Sequence, residues 1–263
     1  MKIKTNGIEL HCTVEGNGPW VVMSHSLACA SAMWDEQAAL LARDYKVLRF
    51  DTRGHGESDA PAGEYTLDML ADDVHGLFLA LGIERCHWAG LSMGGMIGQT
   101  FALKFPGVFA SMVLADTASR YPPEAAPMWQ ERIKLARDKG MEPLVEATLA
   151  RWFTEPFRKS HPDVMARIGS QIRRTPVSGY IGCCHAIPAI NLTAKLNTIS
   201  CPVLVIVGEQ DAGTPVAMAR AIHAAIPGSE LVVIPSASHL SNIEQPAAFN
   251  RALGAFLERH RSA

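Results

Sequence analysis

Gly90-Leu91-Ser92-Met93-Gly94 reads G-x-S-x-G, a pattern that can lift a serine hydroxyl on a sharp strand-to-helix turn. Gly90 and Gly94 suit such a turn because bulkier neighbours would not fit it. Serine at its ordinary pKa is a weak nucleophile and needs a base. Of the ten histidines, His239 lies in Ser236-Ala237-Ser238-His239-Leu240, just after the last strand pattern. His25 is the rival because it also ends a strand pattern, but its neighbours suit it better to bracing a loop. The base in turn needs an acid to orient it. Asp211, in Gly208-Glu209-Gln210-Asp211-Ala212-Gly213-Thr214-Pro215, follows a strand pattern and is favoured. Asp116, at the end of another strand, competes, while Glu209 reads as a loop cap. Two N–H groups should receive the oxyanion: that of Met93 at the helix start and that of Leu27 in His25-Ser26-Leu27-Ala28. Such a set performs acyl transfer through a covalent intermediate and needs no metal or organic cofactor.

These residues need a scaffold that brings distant strand ends to one edge. Ile8 to Val14 reads as a strand in an antiparallel hairpin with Lys2 to Thr5. Short apolar runs at Trp20–Ser24, Tyr45–Phe50, Cys86–Gly90, Ser111–Ala115, Val203–Val207 and Leu231–Ile234 read as buried parallel strands. Helical patterns lie between them, at Trp34–Ala42, Thr66–Leu81, Met93–Phe105, Val216–Ala225 and Pro246–Arg259. Thr66 caps the second of these and Gly82 stops it. This alternation predicts an α/β fold with a mostly parallel central sheet and helices on both faces. Between 122 and 195 the rhythm breaks into proline-punctuated amphipathic helices. That stretch reads as a helical lid (cap), and residues 1–121 and 196–263 read as the core. In such sheets ligands bind beyond the carboxyl ends of the strands.

The chain has 263 residues, 48% hydrophobic and 19% charged, so a large buried core is available and the composition argues against disorder. A net charge of −2 argues against a nucleic-acid partner. No run of 18 apolar residues exists, which excludes a membrane-spanning helix, and the N-terminus lacks the apolar core of a signal peptide. Six cysteines fit neither a zinc ribbon nor a C-x-x-C pair, so reduced thiols in a cytoplasmic protein are expected. The partner is a small molecule, and the oligomeric state is not legible.

Taken together, the G-x-S-x-G turn, the order Ser92, Asp211, His239 and the turn Asp51-Thr52-Arg53-Gly54-His55-Gly56-Glu57-Ser58 resemble the α/β-hydrolase superfamily. The last of these reads as structural. Arg151-Trp152-Phe153-Thr154, Gly179-Tyr180 through Ile187, and His239-Leu240-Ser241-Asn242-Ile243-Glu244-Gln245-Pro246 are similar to 3-oxoadipate enol-lactonases. The resemblance implies hydrolysis of a small anionic enol-lactone in aromatic catabolism, with broad carboxylesterase activity on neutral esters as the alternative. Two stretches depart from that pattern. Ser24-His25-Ser26-Leu27-Ala28 stands where those enzymes usually read S-N-S-L-G. His185 follows Cys184 directly, with Pro188-Ala189 in place of an Arg-Asp pair. Both departures are expected near the pocket.

The predicted lid holds 11 Lys and Arg against 7 Asp and Glu, a net of +4, whereas the remainder is −6. A positive lid favours an anionic substrate. Arg132 and Arg151 are the candidate carboxylate clamp, since arginine grips carboxylates at two points. Trp34, Met93 and Trp152 are the candidate apolar walls.

Overall fold

The computed structural model describes residues 1–261. Eight strands form one sheet in the order β1-β2-β4-β3-β5-β6-β7-β8. They are β1 (Lys2–Thr5), β2 (Ile8–Glu15), β3 (Trp20–Ser24), β4 (Lys46–Phe50), β5 (Cys86–Leu91), β6 (Phe109–Ala115), β7 (Val203–Gly208) and β8 (Glu230–Ile234). β1 and β2 form the expected hairpin, and β2 also pairs antiparallel with β4. Every other pairing is parallel. β5 and β6 are buried along their whole length, which is why they read as unbroken apolar runs rather than alternating ones.

Helices α1 (Asp35–Leu41), α2 (Leu67–Leu81) and α3 (Met93–Lys104) cross over the first half of the sheet. α2 shows how sequence sets an element. Thr66 accepts the Met69 N–H at 3.1 Å, and Gly82 ends the helix with a φ of 66°. Between them Leu67, Leu70, Ala71, Val74, Leu77 and Phe78 form one buried stripe at helical spacing.

Between β6 and β7 lie α4 (Ala126–Lys139), α5 (Val145–Trp152), α6 (Glu155–Ser160), α7 (Pro162–Arg174) and α8 (Val177–Ala186), with no strand among them. This helical insertion meets the core where the backbones of Gly54 and Gly179 touch. A Cβ at Gly179 would sit 2.0 Å from the Gly54 carbonyl oxygen. The chain closes with α9 (Val216–Ala225), the one-turn α10 (Ser241–Glu244) and α11 (Pro246–Arg259).

The turn after β4 is structural, as its sequence suggests. Asp51 accepts the Ser31 and Glu57 N–H groups at 2.7 and 3.0 Å. Arg53 grips the Asp73 carboxylate of α2 at two points, 2.7 and 2.6 Å, with both side chains buried.

All six cysteines are free and five are buried. No helix among the described residues is long and apolar enough to cross a membrane.

Candidate active site

The parallel register brings the ends of β3, β5, β6, β7 and β8 to one edge. Ser24 lies opposite Gly90, Leu91 opposite Ala115, Ala115 opposite Ile206, and Gly208 opposite Ile234. The loops that leave these strands therefore carry Leu27, Ser92, Asp116, Asp211 and His239 to a common rim.

Ser92 stands between β5 and α3 with φ 55° and ψ −114°, a conformation few residues other than glycine adopt. The surroundings hold it there. Its N–H donates to the Ala115 carbonyl at 2.8 Å, and its carbonyl accepts the Thr117 hydroxyl at 2.7 Å. Gly90 and Gly94 are required sterically. A Cβ at Gly90 would lie 2.3 Å from the Gly94 carbonyl oxygen, and one at Gly94 would lie 2.2 Å from that of Ser24.

His239 Nδ1 lies 2.8 Å from Asp211 Oδ2. The loops that carry the two residues are themselves tied together: the Gln210 N–H donates to the Ala237 carbonyl at 2.8 Å. Asp211 Oδ1 accepts the Gly213 and Thr214 N–H groups at 2.7 and 3.0 Å, and Oδ2 accepts the Thr214 hydroxyl at 2.7 Å. Burial raises the Asp211 pKa, but the adjacent His239 and the Thr214 donors outweigh it and hold the carboxyl below its ordinary range. Nδ1 of His239 therefore faces an acceptor and carries the proton. Nε2 makes no hydrogen bond to another group among the described residues, and the ring lines the same cavity as Ser92. Trp152 stacks on the imidazole, with centroids 6.2 Å apart and planes at 27°.

The rival residues have other tasks. Asp116 is fully buried, accepts the Gly208 N–H at 2.7 Å and bonds the Ser241 hydroxyl. Burial, and then the charge of Asp211, raise its pKa well above the ordinary carboxylate range. It braces β6 against β7 and makes no hydrogen bond to His239. Glu209 is exposed and caps the Ser236 N–H at 3.2 Å. His25 braces its loop: Nδ1 meets the Ser26 carbonyl at 2.7 Å and Nε2 accepts the Thr52 N–H at 2.9 Å. His55 joins it by accepting the Ala28 N–H at 3.0 Å. Burial lowers the pKa of both rings, that of His55 to about 3, so both are neutral at pH 7. Among the described residues neither the Leu27 nor the Met93 N–H donates to another protein group.

These loops and the insertion enclose a cavity of about 90 Å³. Ser26, Leu27, Ala28, Ser92, Ala212, Gly213 and His239 form its floor. Tyr121, just after β6, and Met128, Trp129, Arg132, Thr148, Arg151, Trp152, Tyr180 and Ile187 of the insertion form its walls. Arg132 and Arg151, expected as a clamp, both face the cavity. Arg132 lies over the Trp129 ring at 4.8 Å. Among the described residues neither arginine forms an ion pair. Tyr121, Trp129, Tyr180 and Thr214 were not singled out in the sequence. Tyr180 lies in a stretch similar to the enol-lactonases, and Thr214, a hydroxyl three residues past an acid, carries the signal of a local turn.

Three expectations need correction. Trp34 does not line the cavity; it is fully buried and packs on Phe249 of α11 at 6.0 Å. The Met93 side chain, at the start of α3, is fully buried and is likewise not a wall. The departure around His185 does not reach the cavity either: His185 and Ala189 line a separate outer groove, with His185 Nδ1 3.5 Å from Glu64. The departure at Ala28 does touch the cavity. Its φ of 58° is a left-handed conformation that glycine adopts without cost.

No group of three or more His, Cys, Asp or Glu side chains among the described residues is arranged to hold a metal ion.

A strained serine at a strand–helix elbow, with an Asp-supported histidine beside the same cavity on a mostly parallel sheet, defines an α/β hydrolase. The family model for the alpha/beta hydrolase fold matches residues 19–246, and the chain belongs to that family. It is 38% identical over 245 residues to 3-oxoadipate enol-lactonase 2 of Acinetobacter baylyi, covering 93% of this chain and 91% of that protein. The crystal structure of the enol-lactonase from Burkholderia xenovorans LB400 is 40% identical with a TM-score of 0.94, covering 98% of this chain and 100% of that one. A malate-bound thermophilic esterase from Thermogutta terrifontis is 32% identical with a TM-score of 0.94, covering 100% and 99% of the two chains.

Proposed function

We propose that this chain is a serine hydrolase that opens a small anionic enol-lactone, 3-oxoadipate enol-lactone, through an acyl-enzyme on Ser92. One observation carries the choice of substrate: Arg132 and Arg151, without acidic partners among the described residues, face the cavity of Ser92 and His239. Two unpaired guanidinium groups over so small a space favour a carboxylate-bearing ligand. Similarity to the enol-lactonases of A. baylyi and B. xenovorans supports the same reading.

The mechanism runs through residues that line this cavity. Ser92 Oγ attacks the lactone carbonyl carbon while His239 Nε2 takes the hydroxyl proton. Asp211 holds the Nδ1 proton and stabilises the imidazolium that forms. The oxyanion receives the Leu27 and Met93 N–H groups. The carbonyl then re-forms and the ring C–O bond breaks. The enol oxygen leaves with the proton from His239, and the enol becomes a ketone, which withdraws the leaving group from the reverse reaction. Water, deprotonated by His239, attacks the acyl carbon and regenerates Ser92. The helical insertion, residues 122–195, serves as the lid that supplies the arginines and keeps bulk water out.

The test is kcat/KM for 3-oxoadipate enol-lactone beside that for a short neutral aryl ester. Preference for the lactone is expected. Preference for the neutral ester would recast the protein as a carboxylesterase with the same Ser92, Asp211 and His239.

A further inference from the structure

A buried carboxylate that the mechanism does not use lies five residues beyond His239. Glu244 closes α10 and is 4% exposed. Among the described residues it has no cationic partner. Its charge is met by hydrogen-bond donors from two directions. Oε1 accepts the Thr154 N–H at 3.0 Å and also the Thr154 hydroxyl. Oε2 accepts the Ser238 N–H at 2.8 Å. Thr154 follows α5 in the insertion, and Ser238 immediately precedes His239. A buried carboxylate without a counter-ion is costly unless its oxygens are fully bonded, so this bridge is a demanding way to join two loops.

The bridge does not stand alone. The Ser238 hydroxyl donates to the Arg151 carbonyl at 2.9 Å. The Leu240 N–H donates to the Trp152 carbonyl at 3.2 Å. Trp152 also stacks on the His239 ring. Both chain neighbours of His239 are therefore tied to residues 151–154, and among the described residues the Glu244 side chain bonds both segments.

We propose that Glu244 is a positioning residue for His239, locking the loop of the base to the segment that carries Arg151 and Trp152. The proposal rests on His239 being the base of the reaction described above. Through this lock, the group that takes the serine proton and one arm of the carboxylate clamp keep a fixed spacing. Such preorganisation matters because small misplacements of a catalytic group cost large factors in rate.

Glu244→Gln is the discriminating variant. It preserves shape, but its amide must turn a donor toward either the Thr154 donors or the Ser238 N–H. Thr154→Val is the milder companion, removing one donor on the insertion side about as far from His239 as the bridge extends. Each is measured for kcat and KM on the lactone or an aryl ester, for the pH profile of kcat, and for the His239 Nδ1–H proton resonance. His239→Ala is measured alongside. The expected result is a loss of kcat of about tenfold in Glu244→Gln and about threefold in Thr154→Val. A displaced acidic limb and a shifted or broadened Nδ1–H resonance accompany the larger loss. If Glu244→Gln does not fold, Thr154→Val alone decides by the same readouts. Unchanged kcat, pH limb and resonance in the folded variants would overturn the proposal, even if their melting temperatures fall. Full activity in His239→Ala would instead overturn the assignment of the base, which separates the two failures.

Discussion

Asp211→Asn should reduce kcat/KM by about 10,000-fold, or about 5.4 kcal/mol of transition-state stabilisation. The geometry fixes how. Two backbone N–H groups, from Gly213 and Thr214, point at Oδ1 at 2.7 and 3.0 Å. They would hold the amide oxygen of the asparagine at that position. The NH₂ group then takes the place of Oδ2, which now lies 2.8 Å from His239 Nδ1. Two donors cannot share that contact, so the imidazole moves its proton to Nε2. In that tautomer it cannot accept the Ser92 proton. Asp116→Asn is the matched control. Its oxygen can still accept the Gly208 N–H, and its amide can donate to the Ser241 hydroxyl, so activity should stay within about threefold. Steady-state kinetics on the lactone, with circular dichroism to verify the fold, reads both variants. A severe loss in Asp116→Asn with near-normal Asp211→Asn would refute the reasoning and transfer the acid's role to the end of β6.

Other perturbations test separate parts of the account. Arg132→Met or Arg151→Met should lower kcat/KM for the anionic lactone by about 10- to 100-fold, the worth of a charge-assisted hydrogen bond, and leave a neutral ester within about threefold. Equal losses on both substrates would remove that arginine from the carboxylate clamp. Acid should destabilise the fold through His55, whose pKa falls from 6.5 unfolded to about 3 folded. Between those values the unfolded chain binds the extra proton, so stability declines as pH falls from 6.5 and is retained above it. At pH 5 this amounts to about 2 kcal/mol. Urea unfolding at pH 7 and pH 5 should show a decrement in the parent that is smaller by about 2 kcal/mol in His55→Gln; equal decrements would contradict it. Gly94→Ala should cost at least about 1–3 kcal/mol, because its Cβ meets the Ser24 backbone. Gly254→Ala, with open space in α11, should gain about 0.5–1 kcal/mol, and denaturant midpoints measure both.

Much of the site was legible because parallel strands and their ends are written in local pattern. The run Trp20–Ser24 is β3 as read, and the G-x-S-x-G turn sits where an apolar run gives way to a glycine-rich helix. Ser92, Asp211 and His239 each follow a strand, so their meeting at one rim follows from the topology. What escaped was set by packing across the chain. Trp34, a candidate wall residue in the sequence, is instead covered through Phe249 of α11, more than two hundred residues away. Trp129 reaches the cavity from α4 and Tyr121 from the stretch between β6 and α4, and nothing in their spacing reveals that. The Glu244 bridge joins residues 90 apart in sequence, and periodicity carries no information about it.

The central claim is an acyl-enzyme on Ser92, and rapid acid quench of the turnover of 3-oxoadipate enol-lactone tests it most directly. Peptide mass spectrometry should find one acyl group on the peptide that contains Ser92 in the parent enzyme, and none in Ser92→Ala, which should be inactive yet folded. Turnover by Ser92→Ala, or an acyl group carried on another residue, would contradict the account.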